Sequence, residues 1–93
     1  MSTYKVKYAP SADRQLTKIG KRNPQAASMI KAAVKQLEQN PRSSKSTNIV
    51  GSPGEYRLDV RGQWGSFRVR YEVNDGKLLV LVLVVGDRKN VYQ

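Results

Sequence analysis

The chain contains no cysteine and no histidine. Without cysteine there is neither a disulfide nor thiolate chemistry. Without histidine, the usual general base near neutral pH and the commonest metal ligand are both missing. Any catalysis must fall to carboxylates, lysines, arginines, tyrosines or hydroxyls. Long apolar runs are absent as well: the longest, "LLVLVLVV" at 78–85, is far too short to cross a bilayer as a helix. The opening "MSTYKVKYAP" carries no apolar core of the secretory kind. A cytoplasmic protein with no membrane segment is the default expectation.

Acid is scarce. Seven Asp and Glu stand against seventeen Lys and Arg, giving a formal charge of +10 and a pI near 10.2. Such an excess favours a polyanionic partner: nucleic acid, an anionic membrane or an acidic protein. No basic amphipathic helix of the membrane-surface kind stands out, so nucleic acid leads. The 39% apolar and 26% charged content fits a folded chain. Ninety-three residues are expected to form one domain, 1–93.

What is present is ordered by periodicity. "TYKVKY" (3–8) alternates, with Tyr4, Val6 and Tyr8 on one face, and predicts a half-buried strand. After Pro10 the period becomes helical through Ala12, Leu16 and Ile19, with Gly20 as the expected stop. Asn23 and Pro24 form a cap and first turn for a second helix, striped by Ala27, Ile30, Val34 and Leu37. "GKRN" should join the two as a hairpin. Residues 41–54, rich in Ser, Gly and Pro, read as an irregular loop. "EYRLDVR" (55–61) and "SFRVRYEV" (66–73) each alternate, linked by "GQWG", and "NDG" at 74–76 predicts a further hairpin turn. The last strand, "KLLVLVLVV", is apolar on both faces and should lie inside the sheet. The order is β-α-α-β-β-β, an α+β fold with a twisted antiparallel sheet and both helices on one face.

The outward faces of the two central strands concentrate charge. Setting Arg61 opposite Ser66 puts Asp59 opposite Arg68 and Arg57 opposite Arg70. Four arginines then surround one carboxylate on the face away from the helices. Arg88 and Lys89 follow the last strand and extend the cluster, with Tyr92 behind them. A solvated face with Asp59 screening Arg68 is the bland account. Against it, arginine occupies all four strand positions, and its fork suits phosphate bidentately where lysine would only solubilise. A tyrosine in a basic tail can stack on a base. The face suits single-stranded RNA.

"YRLDVR", "FRVRYEV" and an apolar strand running into "VGDRKNVY" together resemble the RelE/ParE toxin superfamily of bacterial toxin–antitoxin modules. The N-terminal strand, helical hairpin and Asn-Pro before the core hairpin agree, so the resemblance covers nearly the whole chain. It implies a ribosome-dependent endoribonuclease of the RelE branch, cutting mRNA in the A site without metal or other cofactor. Ribose 2′-OH attack on the adjacent phosphate is that branch's reaction. On that resemblance Arg57 contacts the reacting nucleotides, Arg68 holds the scissile phosphate, and Arg88 stabilises charge or protonates the leaving oxygen. Tyr92 orients the cut base, and Arg61, Arg70 and Lys89 are further phosphate contacts. Where RelE toxins carry a lysine this chain has Asp59, either a base for the 2′-OH or a counter-ion to Arg68, the counter-ion being favoured. The resemblance also implies a cognate acidic antitoxin whose helix docks in a groove of the toxin, and ribosome and mRNA as targets. Its other branch, ParE, shares the fold and poisons DNA gyrase without cutting RNA. A simple basic nucleic-acid-binding module is a third reading.

Overall fold

The computed structural model describes residues 3–43 and 46–87. The alternating N-terminal segment forms β1 (Lys5–Tyr8) and leads straight into α1 (Pro10–Arg22). Pro10 fits the first turn because its missing N–H has no intrahelical partner there. Gly20 does not stop this helix. It lies where α1 meets the second helix, and a Cβ on it would come within 3.4 Å of the Ala27 Cβ. The stop comes at Asn23, extended at φ −151° and ψ 90° as Pro24 demands of the residue before it. Asn23 alone is the link, and its side chain accepts the Ala26 N–H at 3.1 Å. Helix α2 (Pro24–Lys35) follows and tightens into a 3₁₀ turn at Gln36–Glu38.

Five strands form the sheet, in the order β1-β5-β4-β3-β2. Strands β3 (Glu55–Gly62), β4 (Gly65–Asn74) and β5 (Leu79–Asp87) make the expected antiparallel meander. The β3–β4 register is the one the sequence suggested, with Asp59 opposite Arg68 and Arg57 opposite Arg70. Two features differ from expectation. The expected irregular loop contains a short strand, β2 (Ser46–Asn48), antiparallel to Tyr56–Leu58 of β3. The sheet is also mixed rather than wholly antiparallel, because β1 runs parallel to β5 from Lys5–Leu79 to Tyr8–Val82. Parallel neighbours need a long crossover, which everything between β1 and β5, helices included, supplies.

The core lies between the sheet and the helical hairpin. Ala12, Leu16, Ile30, Val34 and Leu37 from the helical side meet Leu58, Val60, Val69, Tyr71, Val80, Val82 and Val85 from the sheet. The last three do not share one parity. A bulge lets Arg70 pair with Val84 while Tyr71 pairs with Val82, leaving Leu83 as the extra residue. This shift turns Val85 to the core beside Val80 and Val82. Leu79, Leu81 and Val84, half-buried on the other face, make the strand apolar on both.

Strand β1 is short, and α1 covers the part of the β5 edge that it leaves. Gln15 Oε1 accepts the Val85 N–H at 2.8 Å, and Ser11 Oγ donates to the Leu83 carbonyl at 3.3 Å. The β4–β5 turn is longer than "NDG" suggested, running through Leu78. Asn74 Oδ1 accepts the Lys77 N–H, and the left-handed φ of 50° falls on Leu78 rather than on Asp75 or Gly76. The Leu78 carbonyl accepts the Lys5 N–H at 2.8 Å, so pairing with β1 holds it in that conformation. No helix among the described residues is long and apolar enough to cross a membrane.

Candidate nucleic-acid interface

Alternation along β3 and β4 sends Leu58, Val60, Val69 and Tyr71 into the core, so Arg57, Asp59, Arg61, Arg68 and Arg70 share the other face. Strand β5 adds Val84 opposite Arg70 and Gly86 opposite Arg68.

The arginines differ in their surroundings. Arg68 Nε donates to Asp59 Oδ1 at 2.8 Å, and Nη2 reaches Oδ2 at 3.5 Å. Arg61 approaches the same carboxylate at 3.8 Å. Arg70 turns away to Glu55, with Nη2 3.1 Å from Oε1. Its Nε is buried without a hydrogen-bond partner among the described residues. Arg57, half-buried opposite Thr47 and Arg70, makes no ion pair or hydrogen bond among the described residues.

The expectation of four exposed arginines is therefore corrected. Only Arg61 is exposed, Arg57 and Arg70 are half-buried, and Arg68 is 9% exposed. For Arg68 and Arg70 the reason is cross-strand pairing: a carboxylate on the adjacent strand draws each guanidinium down onto the sheet. The close arginines of "SFRVRYEV" thus have separate counter-ions, Asp59 for Arg68 and Glu55 for Arg70. Glu55 was legible as an outward residue. Its partner follows only from the register, in which it lies diagonal to Arg70. Arg88, Lys89 and Tyr92 lie outside the described residues.

One end of the sheet carries a second cluster that the sequence did not announce. Arg42, in the segment before β2, chelates Asp75 with Nη1 at 3.0 Å and Nη2 at 2.7 Å. Its Nε donates to the Tyr56 hydroxyl at 2.9 Å, and Tyr4 donates to Asp75. The Arg42 guanidinium, bonded first of all, and then the Tyr4 hydroxyl hold the Asp75 carboxyl below the usual carboxylate range. Beneath this, the Tyr71 hydroxyl donates to the Pro41 carbonyl at 2.6 Å and shares a second hydrogen bond with Ser46 Oγ at 2.6 Å. Burial pushes the Tyr71 phenol above its ordinary pKa. Together these bonds strap Pro41, Arg42 and Ser46 to the sheet and fix β2, whose Thr47 pairs with Arg57.

A groove of about 580 Å³ runs between α2 and β3. Met29, Ala33, Leu37, Leu58 and Val60 give it apolar walls, and Asp59 and Arg61 stand at its rim. No group of acidic side chains suited to hold a metal ion occurs among the described residues.

Comparison with known proteins agrees with this architecture. The toxin of the Mycobacterium tuberculosis RelBE2 toxin–antitoxin complex is similar at 22% identity and TM-score 0.73, over 92% of this chain and 99% of that one. The intact E. coli RelBE complex gives 24% identity and TM-score 0.75, over 90% and 95%. The archaeal RelE–RelB complex from Pyrococcus horikoshii gives 20% and 0.72, over 96% and 99%. At such identities these likenesses show the fold. Among curated proteins none matches by sequence. The family model for the ParE toxin of type II toxin–antitoxin systems matches residues 6–92, so this chain belongs to that family, within the RelE/ParE superfamily, and is the toxin of a type II toxin–antitoxin module.

Proposed function

We propose that this toxin is an endoribonuclease that cleaves mRNA on the ribosome. The observation that supports this most is Arg57: a half-buried arginine whose side chain has no partner among the described residues, beside the Arg68–Asp59 pair. A half-buried cation with no ion pair among the described residues is suited to a phosphate supplied from outside. In the proposed step the ribose 2′-hydroxyl gives its proton to water as its oxygen attacks the adjacent phosphorus, and the bond to the 5′-oxygen breaks. A 2′,3′-cyclic phosphate and a 5′-hydroxyl result. Arg57 and Arg68 stabilise the charge that builds on the phosphoryl oxygens, and Arg61 and Arg70 hold flanking phosphates. Asp59 fixes the Arg68 fork. Arg88, Lys89 and Tyr92 complete the site by resemblance, with Arg88 protonating the leaving oxygen and Tyr92 stacking on the cut base.

The partner that restrains the toxin is an antitoxin, as the named complexes of similar toxins suggest, and the chain's charge of +10 suits an acidic one. The α2–β3 groove suits an amphipathic helix of it, and Asp59 and Arg61 at the rim place that helix beside the site.

Primer extension on a translated message after inducing the toxin tests the reading. New 5′ ends within the coding region, dependent on translation, are the expected result. The family model's ParE description favours one other reading, binding and poisoning of DNA gyrase. Intact message with inhibited supercoiling establishes that reading instead.

A further inference from the structure

We propose that the outer face of the helical hairpin, along Arg14, Lys18, Lys21 and Arg22, docks on the phosphate backbone of double-stranded RNA. This rests on the reading that the toxin works on RNA, and it concerns the side of the molecule opposite the arginine face. Residues 10–35 hold six Lys and Arg against a single carboxylate, Asp13, which is half of the chain's +10. All six cations are exposed. The ion pairs of the described residues join Arg42 to Asp75, Arg61 and Arg68 to Asp59, and Arg70 to Glu55. None involves the hairpin. Arg61, Arg68 and Arg70 of the sheet have counter-ions, whereas the hairpin's six cations have none among the described ion pairs.

The spacing and the neighbours narrow the partner. Arg14, Lys18, Lys21 and Arg22 recur at helical intervals and form one stripe about 12 Å long on α1. The exposed residues among them, Ser11 and Thr17, are polar, and the helix spends its apolar face (Ala12, Leu16 and Ile19) on the core. A protein interface needs an apolar centre, and a membrane surface needs an apolar face; this stripe has neither. Single-stranded RNA is gripped by aromatic stacking; Tyr4, Tyr8, Tyr56, Phe67 and Tyr71 pack against the core, and the exposed Trp64 lies beside Pro24 and Gln25 at the start of α2, off the stripe. A rigid row of cations without aromatics suits the fixed phosphates of a duplex, read by shape and charge.

The test compares two triple variants of equal charge. One combines Lys18→Gln, Lys21→Gln and Arg22→Gln; the control combines Lys5→Gln, Lys7→Gln and Lys77→Gln, exposed cations off the hairpin. Binding of a fluorescein-labelled RNA duplex of arbitrary sequence is measured by anisotropy across a salt series, after thermal melts confirm that both variants fold. The hairpin variant should lower the slope of log affinity against log salt by about three, one unit per lost phosphate contact. The control should stay within about one unit of the parent. Equal loss in both variants reduces the effect to net charge and overturns the proposal. So does an unchanged slope, or a hairpin variant that keeps duplex binding while losing its antitoxin or a single-stranded oligonucleotide. A parent that binds the duplex through this stripe but cuts no message leaves the docking face standing and removes the nuclease reading.

Discussion

Arg68 and Asp59 sit directly opposite each other on β4 and β3, joined by a 2.8 Å bond from Nε to Oδ1. Arg68 is nearly buried, so this carboxylate is the counter-ion of a largely desolvated charge. Both oxygens of Asp59 face the guanidinium, an arrangement that suits a positioning role better than proton abstraction.

Asp59→Asn tests that role. We expect stability to fall by about 1–3 kcal/mol, the range for a charge-assisted hydrogen bond. Cleavage on programmed ribosomes, in single turnover, should fall less than about tenfold, whereas loss of a general base costs about 10²–10⁴-fold. A large rate loss with unchanged melting temperature reverses the assignment.

Arg57→Ala should behave in the opposite way. With no partner among the described residues to lose, it should change stability by less than about 0.5 kcal/mol. Loss of a cation that stabilises the transition state should lower the single-turnover rate by about 10²–10³-fold. Full activity in a well-folded variant removes Arg57 from the chemistry.

Arg68→Ala and Arg70→Ala should separate by salt response. Each loses a carboxylate partner and should melt earlier, since separate counter-ions already relieve the arginine repulsion. Arg68→Ala should lower the rate at saturating ribosomes, and Arg70→Ala should mainly weaken binding, with a smaller deficit at low salt. Equal kinetic defects in the two variants contradict the division of roles.

Tyr71→Phe removes the hydroxyl that holds Pro41 and Ser46, with a predicted loss of about 1–3 kcal/mol from the unsatisfied groups. Amide exchange at Thr47 and Ile49 should accelerate more than at Val82, because the strap fixes β2 and not the sheet centre. Uniform acceleration across the sheet refutes a local role.

The strap should also respond to acid. Arg42 lowers the folded-state pKa of Asp75, so its stabilisation is present above the ordinary carboxylate range and is lost as pH falls through the lowered value. Below about pH 4 the parent should approach the stability of Asp75→Asn, while at neutral pH it should be the more stable of the two. Parallel stability–pH curves for the two proteins exclude the effect.

The sequence by itself determined whatever depends on neighbours a few residues apart. Alternation assigned each side chain of β3 and β4 to a face, and the two-residue link between Gly62 and Gly65 then set the register. That placed Arg57, Asp59, Arg61, Arg68 and Arg70 together before any coordinates. Asn23 and Pro24 likewise fixed where the second helix begins, while the first ran past the expected stop at Gly20. Tertiary structure alone decided the parallel seat of β1, the bulge at Leu83, the use of Gln15 to cap Val85, and the Arg42–Asp75 strap. It also decided that Arg68 is buried while Arg57 has no side-chain partner among the described residues. These depend on groups that meet across long stretches of chain: 70 residues part Gln15 from Val85 and 33 part Arg42 from Asp75. Periodicity reports which way a side chain points. Only packing decides which other groups are there to meet it, and how much water is left between them.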